Sequence, residues 1–88
     1  MVSLLIVISF NFIFNEIKIF PNPVSTILHI DSQNIEISSI EVMNISGEQV
    51  QEINGDLKSL NLTGLSSGIY LINLYTSHGN VVKKIAKH

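Results

Sequence analysis

The chain is 88 residues long, carries a formal net charge of −2 and contains no cysteine, which leaves room for one domain and excludes a disulfide framework or a thiolate metal site. Charged residues make up 14% and hydrophobic residues 45%, where an average domain has about 25% charged, so this is a folding composition and not a disordered one. The net charge excludes a strongly basic nucleic-acid binder, and there is no arginine, the side chain best suited to gripping phosphates and reading bases.

Residues 1–14 form an apolar block without a charge. A membrane-spanning helix needs about 20 residues, and a secretory signal peptide needs a basic start and a small-residue cleavage site. No Lys or Arg precedes Lys18 and no Ala lies near the end of the block. Three readings stand for residues 1–16: a degenerate signal, an extra β-strand, or translated sequence upstream of a surviving domain. The folded domain is expected over residues 17–88.

From Ile17 the chain reads as short β segments cut by turn residues. Ile17 to Phe20 is the first, stopped by Pro21-Asn22-Pro23, where each proline lacks an N–H and fixes φ near −65°. Ile27 to Ile30 is the second, ended by Asp31-Ser32-Gln33-Asn34. Ile37 to Asn44 is the third, with Ile40 and Val42 on one face and Glu41 and Met43 on the other. Ile45-Ser46-Gly47-Glu48 makes a hairpin turn into the fourth, Gln49 to Ile53, and Asn54-Gly55-Asp56 turns the chain again. Leu60 to Leu62 is a short fifth. Gly64-Leu65-Ser66-Ser67-Gly68 leads into the sixth, Ile69 to Thr76, whose Tyr70, Ile72 and Leu74 share a face and are expected to meet the core. Ser77-His78-Gly79-Asn80 turns into the seventh, Val81 to Ala86. The sixth is expected near the middle of a sheet. Seven short strands with turn signals every 8–12 residues predict an all-β fold, an antiparallel sandwich or barrel.

Charge is unevenly placed along these strands. Five of the seven acidic residues lie between Glu36 and Asp56, and Lys83, Lys84 and Lys87 fall in the last six residues. Lysines on an edge strand block unwanted pairing. They also suit a short address tag read by another protein.

The residues that carry chemistry are scattered. His29, His78 and His88 share no metal-ligand spacing, and His29 is expected on an outer face between Leu28 and Ile30. No Gly-x-Ser-x-Gly elbow surrounds any serine, no phosphate-binding glycine loop precedes a helix, and Asp31 and Asp56 stand apart from any calcium loop. Asn44-Ile45-Ser46 and Asn61-Leu62-Thr63 match the short glycosylation pattern, which recurs by chance and carries no weight here. The pattern speaks for a recognition module and against an enzyme, with no cofactor and no metal.

Four blocks then resemble one family. Ile19-Phe20-Pro21-Asn22-Pro23-Val24-Ser25 resembles its aromatic-Pro-Asn-Pro motif, and Ile40 to Val50 its central strand-turn-strand block with Gly47 in the turn. Leu62 to Ile72 resembles its Leu-x-x-Leu-x-x-Gly-Ile-Tyr block, with Gly68 and Tyr70. Gly79 to His88 resembles its final lysine-bearing strand, with Lys83, Lys84 and Lys87. In this order and spacing the chain is similar to the type A C-terminal sorting domains of the type IX (Por) secretion system of Bacteroidota, from about Ile17 to His88. Departures are Met43, where Tyr or Phe is common, and the 16 residues ahead of the motif, where a large cargo domain is usual.

The resemblance implies an Ig-like β-sandwich that labels a cargo protein and catalyses nothing. It implies export through the periplasm and outer membrane to the cell surface or beyond. The implied partners are the outer-membrane translocon, its outer-membrane shuttle protein and a sortase-like surface peptidase, with no nucleic acid and no small-molecule substrate. Read physically, Pro21, Asn22 and Pro23 suit a rigid connection, Gly47 and Gly68 suit turns, and Tyr70 suits the core with its hydroxyl at the rim. Lys83, Lys84 and Lys87 are the better candidates for contact with a receptor, through charge or through strand addition. Two other readings remain: a carbohydrate- or protein-binding accessory sandwich, for which Tyr75 is the candidate exposed aromatic, and a gene remnant without function.

Overall fold

Turn residues divide the described chain, residues 17–55 and 57–88 of a computed structural model, into seven strands and no helix. They are β1 (Lys18–Phe20), β2 (Ile27–Asp31), β3 (Ile37–Asn44), β4 (Gln49–Asn54), β5 (Ser59–Asn61), β6 (Gly68–Thr76) and β7 (Gly79–Lys87). Two antiparallel sheets result, one ordered β1-β2-β5 and the other β4-β3-β6-β7. The expected all-β sandwich is therefore the fold. The readings made for the apolar N-terminal block fall outside the described residues.

Alternation sets the layers. Leu28 and Ile30 from the small sheet and Ile40, Val42, Tyr70, Ile72, Leu74, Val81 and Ile85 from the large one form a single buried cluster. Residues one position away from them, such as His29, Glu41 and Val82, lie on outer faces, because successive side chains in a strand point to opposite sides. β6 runs between β3 and β7 and pairs along its whole length with β7, from Gly68↔Lys87 to Thr76↔Gly79. It is the inner strand that its residues predicted.

Only β3 keeps the bounds read from sequence; the other six strands shift by one or two residues at one end or both. β5 begins and ends one residue earlier, although Leu62 remains buried and donates its N–H to Thr26 O at 2.8 Å. The last turn is tighter, because Thr76 pairs with Gly79 and only Ser77 and His78 stand outside the ladder. The Thr76 hydroxyl accepts the His78 N–H at 3.1 Å and donates to Gly79 O, which reverses the chain within two residues. Ahead of β6, Gly68 takes positive φ (+156°), as its turn role predicted, and it is the first residue of the strand. β4 also carries an irregularity: Val42 faces Gln51 and Met43 faces Gln49, leaving Val50 as the extra residue of a bulge.

Candidate recognition surface

Gly79–Lys87 is the outermost strand of the large sheet, so half of its backbone groups point away from β6. Which half is fixed by the contacts it makes on that side. Val24 N–H donates to Ala86 O and His88 N–H donates to Val24 O, each at 2.9 Å, and Val24 forms a parallel bridge with Lys87. Backbone groups alternate between the two sides of a strand, so the even-numbered residues Asn80, Val82, Lys84 and Ala86 face outward. Among the described residues no strand lies beyond β7 on this side.

The outward edge is thereby divided. From Lys84 O to His88 N–H it is covered by Asn22 and Val24, since Ala86 N–H donates to Asn22 Oδ1 at 3.0 Å and Asn22 Nδ2 donates to Lys84 O at 3.3 Å. From Asn80 to the N–H of Lys84 no described residue covers it. Val82 lies at the centre of the open stretch and is 51% exposed.

The motif residues that are distant in sequence meet at the tail end of this sheet. Pro21, Asn22 and Pro23 are exposed, and Asn22 bonds to Lys84 and Ala86, more than sixty positions away in the chain; both prolines follow cis peptide bonds. Gly68 pairs with Lys87, which in turn is bridged by Val24. Tyr70 pairs with Ile85, is buried, and donates its hydroxyl to Ser66 O at 2.8 Å, the i−4 backbone contact of a tyrosine corner. Gly47 takes φ +87° in the β3–β4 turn, a region L side chains rarely enter. Asn44 rigidifies that turn: its Oδ1 accepts the N–H groups of Ser46 and Glu48, each at 3.0 Å. The turn follows the Asn44↔Tyr70 pair, which places it at the same end of the sheet.

The three lysines do not form one patch. Lys84 is exposed on the outer face opposite Leu71, whereas Lys83 and Lys87 are half-buried on the inner side with Val81 and Ile85. Lys87 Nζ donates to His88 O at 2.7 Å. Inward-pointing charge at a sheet edge discourages indiscriminate strand pairing.

The outer face of the large sheet changes character along its length. Toward the tail end it shows Ile45, Met43, Val50, Ile69 and Leu71, with Ile45 73% exposed at the turn. Toward the β6–β7 hairpin it is polar. There Glu41 and Glu52 stand directly opposite each other, a like-charge pair that is unfavourable in itself. Glu41 Oε1 accepts the Tyr75 hydroxyl at 3.0 Å, and Asn73 Nδ2 donates to the Tyr75 hydroxyl oxygen at 3.1 Å. The bond to Glu41 holds the Tyr75 phenol above its ordinary value of 10.0, with burial and the carboxylates of Glu41 and Glu52 adding in the same direction. Tyr75 is thus half-buried with its hydroxyl committed, which leaves little of a free aromatic platform.

Two features of the surface were not singled out from sequence. Val24 carries the only parallel bridge to the tail strand among the described residues; the prolines beside it were the available clue, since proline in a sheet is confined to edges. Phe20, 49% exposed, stacks on His29 with ring centroids 5.5 Å apart on the outside of the small sheet. No group of three His, Asp or Glu side chains converges among the described residues.

A family model described as a secretion system C-terminal sorting domain matches residues 18–88. No curated protein matches. Among solved structures, the chain is similar to PorZ, an essential bacterial surface component of the type-IX secretion system of the human oral-microbiomic Porphyromonas gingivalis. The likeness has a TM-score of 0.65 and 12% identity, and it covers 86% of this chain and 12% of that one. At that identity the likeness is one of fold, and this chain spans a small part of the length of PorZ.

Proposed function

Since this chain belongs to the family of secretion system C-terminal sorting domains, we propose that the feature its receptor reads is the open edge of β7 between Asn80 and Lys84. The domain is a sorting signal of the type IX secretion system, and domains of this kind mark proteins for the cell surface or for release. The family is one of signals and not of catalysts.

One observation supports the finer reading above the others. A stretch of sheet edge unpaired among the described residues, with Val82 exposed at its centre and Lys84 beside it, can accept a strand from another protein: backbone bonds supply affinity and alternate side chains supply selection. In this reading the outer-membrane shuttle protein or the translocon contributes that strand, and a sortase-like peptidase removes the domain after export. Pro21, Asn22, Pro23, Gly47, Gly68 and Tyr70 shape the tail end of the sheet, and Lys84 contributes charge at the edge. Lys83 and Lys87 restrain the inner rim of the edge against indiscriminate pairing.

Fusing residues 17–88 to a periplasmic reporter in a type IX-competent cell tests this directly. The reporter is expected at the cell surface, and Val82→Pro, which removes one outward N–H from the open edge without breaking a bond to β6, is expected to abolish its export while the domain remains folded. Undiminished export of Val82→Pro, or of a fusion lacking Val81–His88, would sink the edge as the recognised element. The accessory-module reading rests on Tyr75 and predicts glycan binding that Tyr75→Ala removes.

A further inference from the structure

The open edge stops at Lys84 because another part of the chain already occupies the next position. Val24 binds β7 as a neighbouring parallel strand would, through both its N–H and its C=O. Two residues earlier, where alternation would turn the backbone of Asn22 to β7, no backbone bond joins Asn22 to β7 among the described residues. The side-chain amide of Asn22 supplies the missing pair instead: its oxygen takes the Ala86 N–H and its NH2 reaches Lys84 O. A carboxamide carries the same donor and acceptor as a peptide group, so Asn22 imitates one residue of an added strand.

The two halves of this cover are held differently. Val24 is fully buried in the core, while Pro21, Asn22 and Pro23 are exposed. The contact to Lys84 O is the longest of the four bonds, at 3.3 Å against 2.9–3.0 Å for the rest. The Asn22 arm therefore opens more easily than the Val24 anchor.

We propose that Asn22 is a clasp hinged on Val24, which closes the β7 edge at Lys84 and, when it swings away, lengthens the edge offered to a partner strand as far as Ala86. Closed, Lys84 presents only its N–H outward. Open, it presents both N–H and C=O, and Ala86 adds its N–H, so a strand arriving along β7 gains two further bonds by displacing Asn22. The proposal rests on the sorting reading for its purpose, but the clasp itself is a property of the folded chain.

Residue-resolved amide exchange of the full chain tests the clasp without any secretion machinery. In the parent protein the Ala86 amide is expected to be protected while those of Val82 and Lys84 exchange freely. Asn22→Ala is expected to speed Ala86 exchange about tenfold, the loss of roughly one net hydrogen bond, with His88 and the core amide of Ile72 unchanged. Asn22→Asp, which keeps an acceptor for Ala86 but cannot donate to Lys84, is expected to retain most of the Ala86 protection. An unprotected Ala86 in the parent protein overturns the proposal, as does an Ala86 rate indifferent to Asn22→Ala. An equal rise at Ile72 overturns it too, since Asn22 would then hold the whole domain and not the edge.

In the reporter fusion, Asn22→Ala is expected to be exported at least as fast as the parent. Slower export with Ala86 deprotected would mean that Asn22 is itself read by the receptor, which overturns the clasp and spares the sorting role. A parent fusion that is not exported at all would count against the sorting reading and not against the clasp, since the exchange rates do not depend on export.

Discussion

The two halves of β7 are built alike and protected differently. Each sends one aliphatic side chain into the core, Val81 in the hairpin half and Ile85 in the tail half, exposed by 2% and 1% respectively. Each pairs fully with β6 on one side. On the other side the tail half is covered by Asn22 and Val24, and among the described residues nothing covers the hairpin half. The outer face differs too: the hairpin half lies beside Asn73 and Tyr75, the tail half beside Leu71 and Ile69. Whether an edge is open is therefore decided by a segment far away in the sequence and not by the residues of the strand itself, a division that suits a label both stable and readable.

The largest expected effect tests the likeness of the two halves. Ile85→Ala should cost about 2–5 kcal/mol, the usual result of emptying a buried isoleucine site, and Ile72→Ala in β6 should cost about the same. Urea unfolding reads both as a lowered midpoint at unchanged slope. A loss below about 1 kcal/mol at Ile85, far under that range, would mean that the tail half is not packed as the hairpin half is, and the comparison would fail at its base.

A smaller effect tests the difference. Proline at an outward position removes an N–H that β6 does not use. Ala86→Pro leaves Asn22 Oδ1 without its donor, whereas Val82→Pro removes an N–H that points to the open side. Ala86→Pro should therefore be the more costly of the two by roughly 1 kcal/mol, the net worth of one hydrogen bond. Equal losses in urea unfolding would show that the cover adds nothing to the tail half.

This difference was out of reach of sequence, while most of the fold was not. Alternation and turn chemistry are local, so all seven strands, the core face of Tyr70, Ile72 and Leu74, and the outward His29 were legible in the order of residues. The Asn22 contacts join residues 62 and 64 positions apart, and nothing in a local pattern tells which distant backbone a side-chain amide will meet. Tyr75 shows the same limit. Read along its own strand it looks like a free aromatic; only the β3–β6 register, with Glu41 opposite Asn73, brings the carboxylate of Glu41 diagonally to its hydroxyl. The bulge at Val50 likewise depends on how β4 meets β3 and not on its composition.

The smallest expected effect concerns the polar network of the hairpin half. The hydrogen bond to Glu41, helped by burial and by the charges of Glu41 and Glu52, raises the Tyr75 phenol above 10.0 in the folded chain. A raised folded value means that the stabilisation is fully present below the unfolded value and is lost as pH climbs through the folded one. The loss should therefore begin above pH 10 and be modest, because the group is half-exposed and salt screens it. The ring carbon resonance of Tyr75 followed through alkaline titration reads this. Glu41→Gln should move its midpoint back toward the ordinary value, and Tyr75→Phe should remove that part of the alkaline destabilisation. Asn22→Ala should leave the Tyr75 midpoint where it is, because the tail half has no link to this network. A shift of Tyr75 on loss of Asn22 would mean that the two halves of β7 respond as one body, and an edge that can be read in one half while shut in the other would no longer be possible.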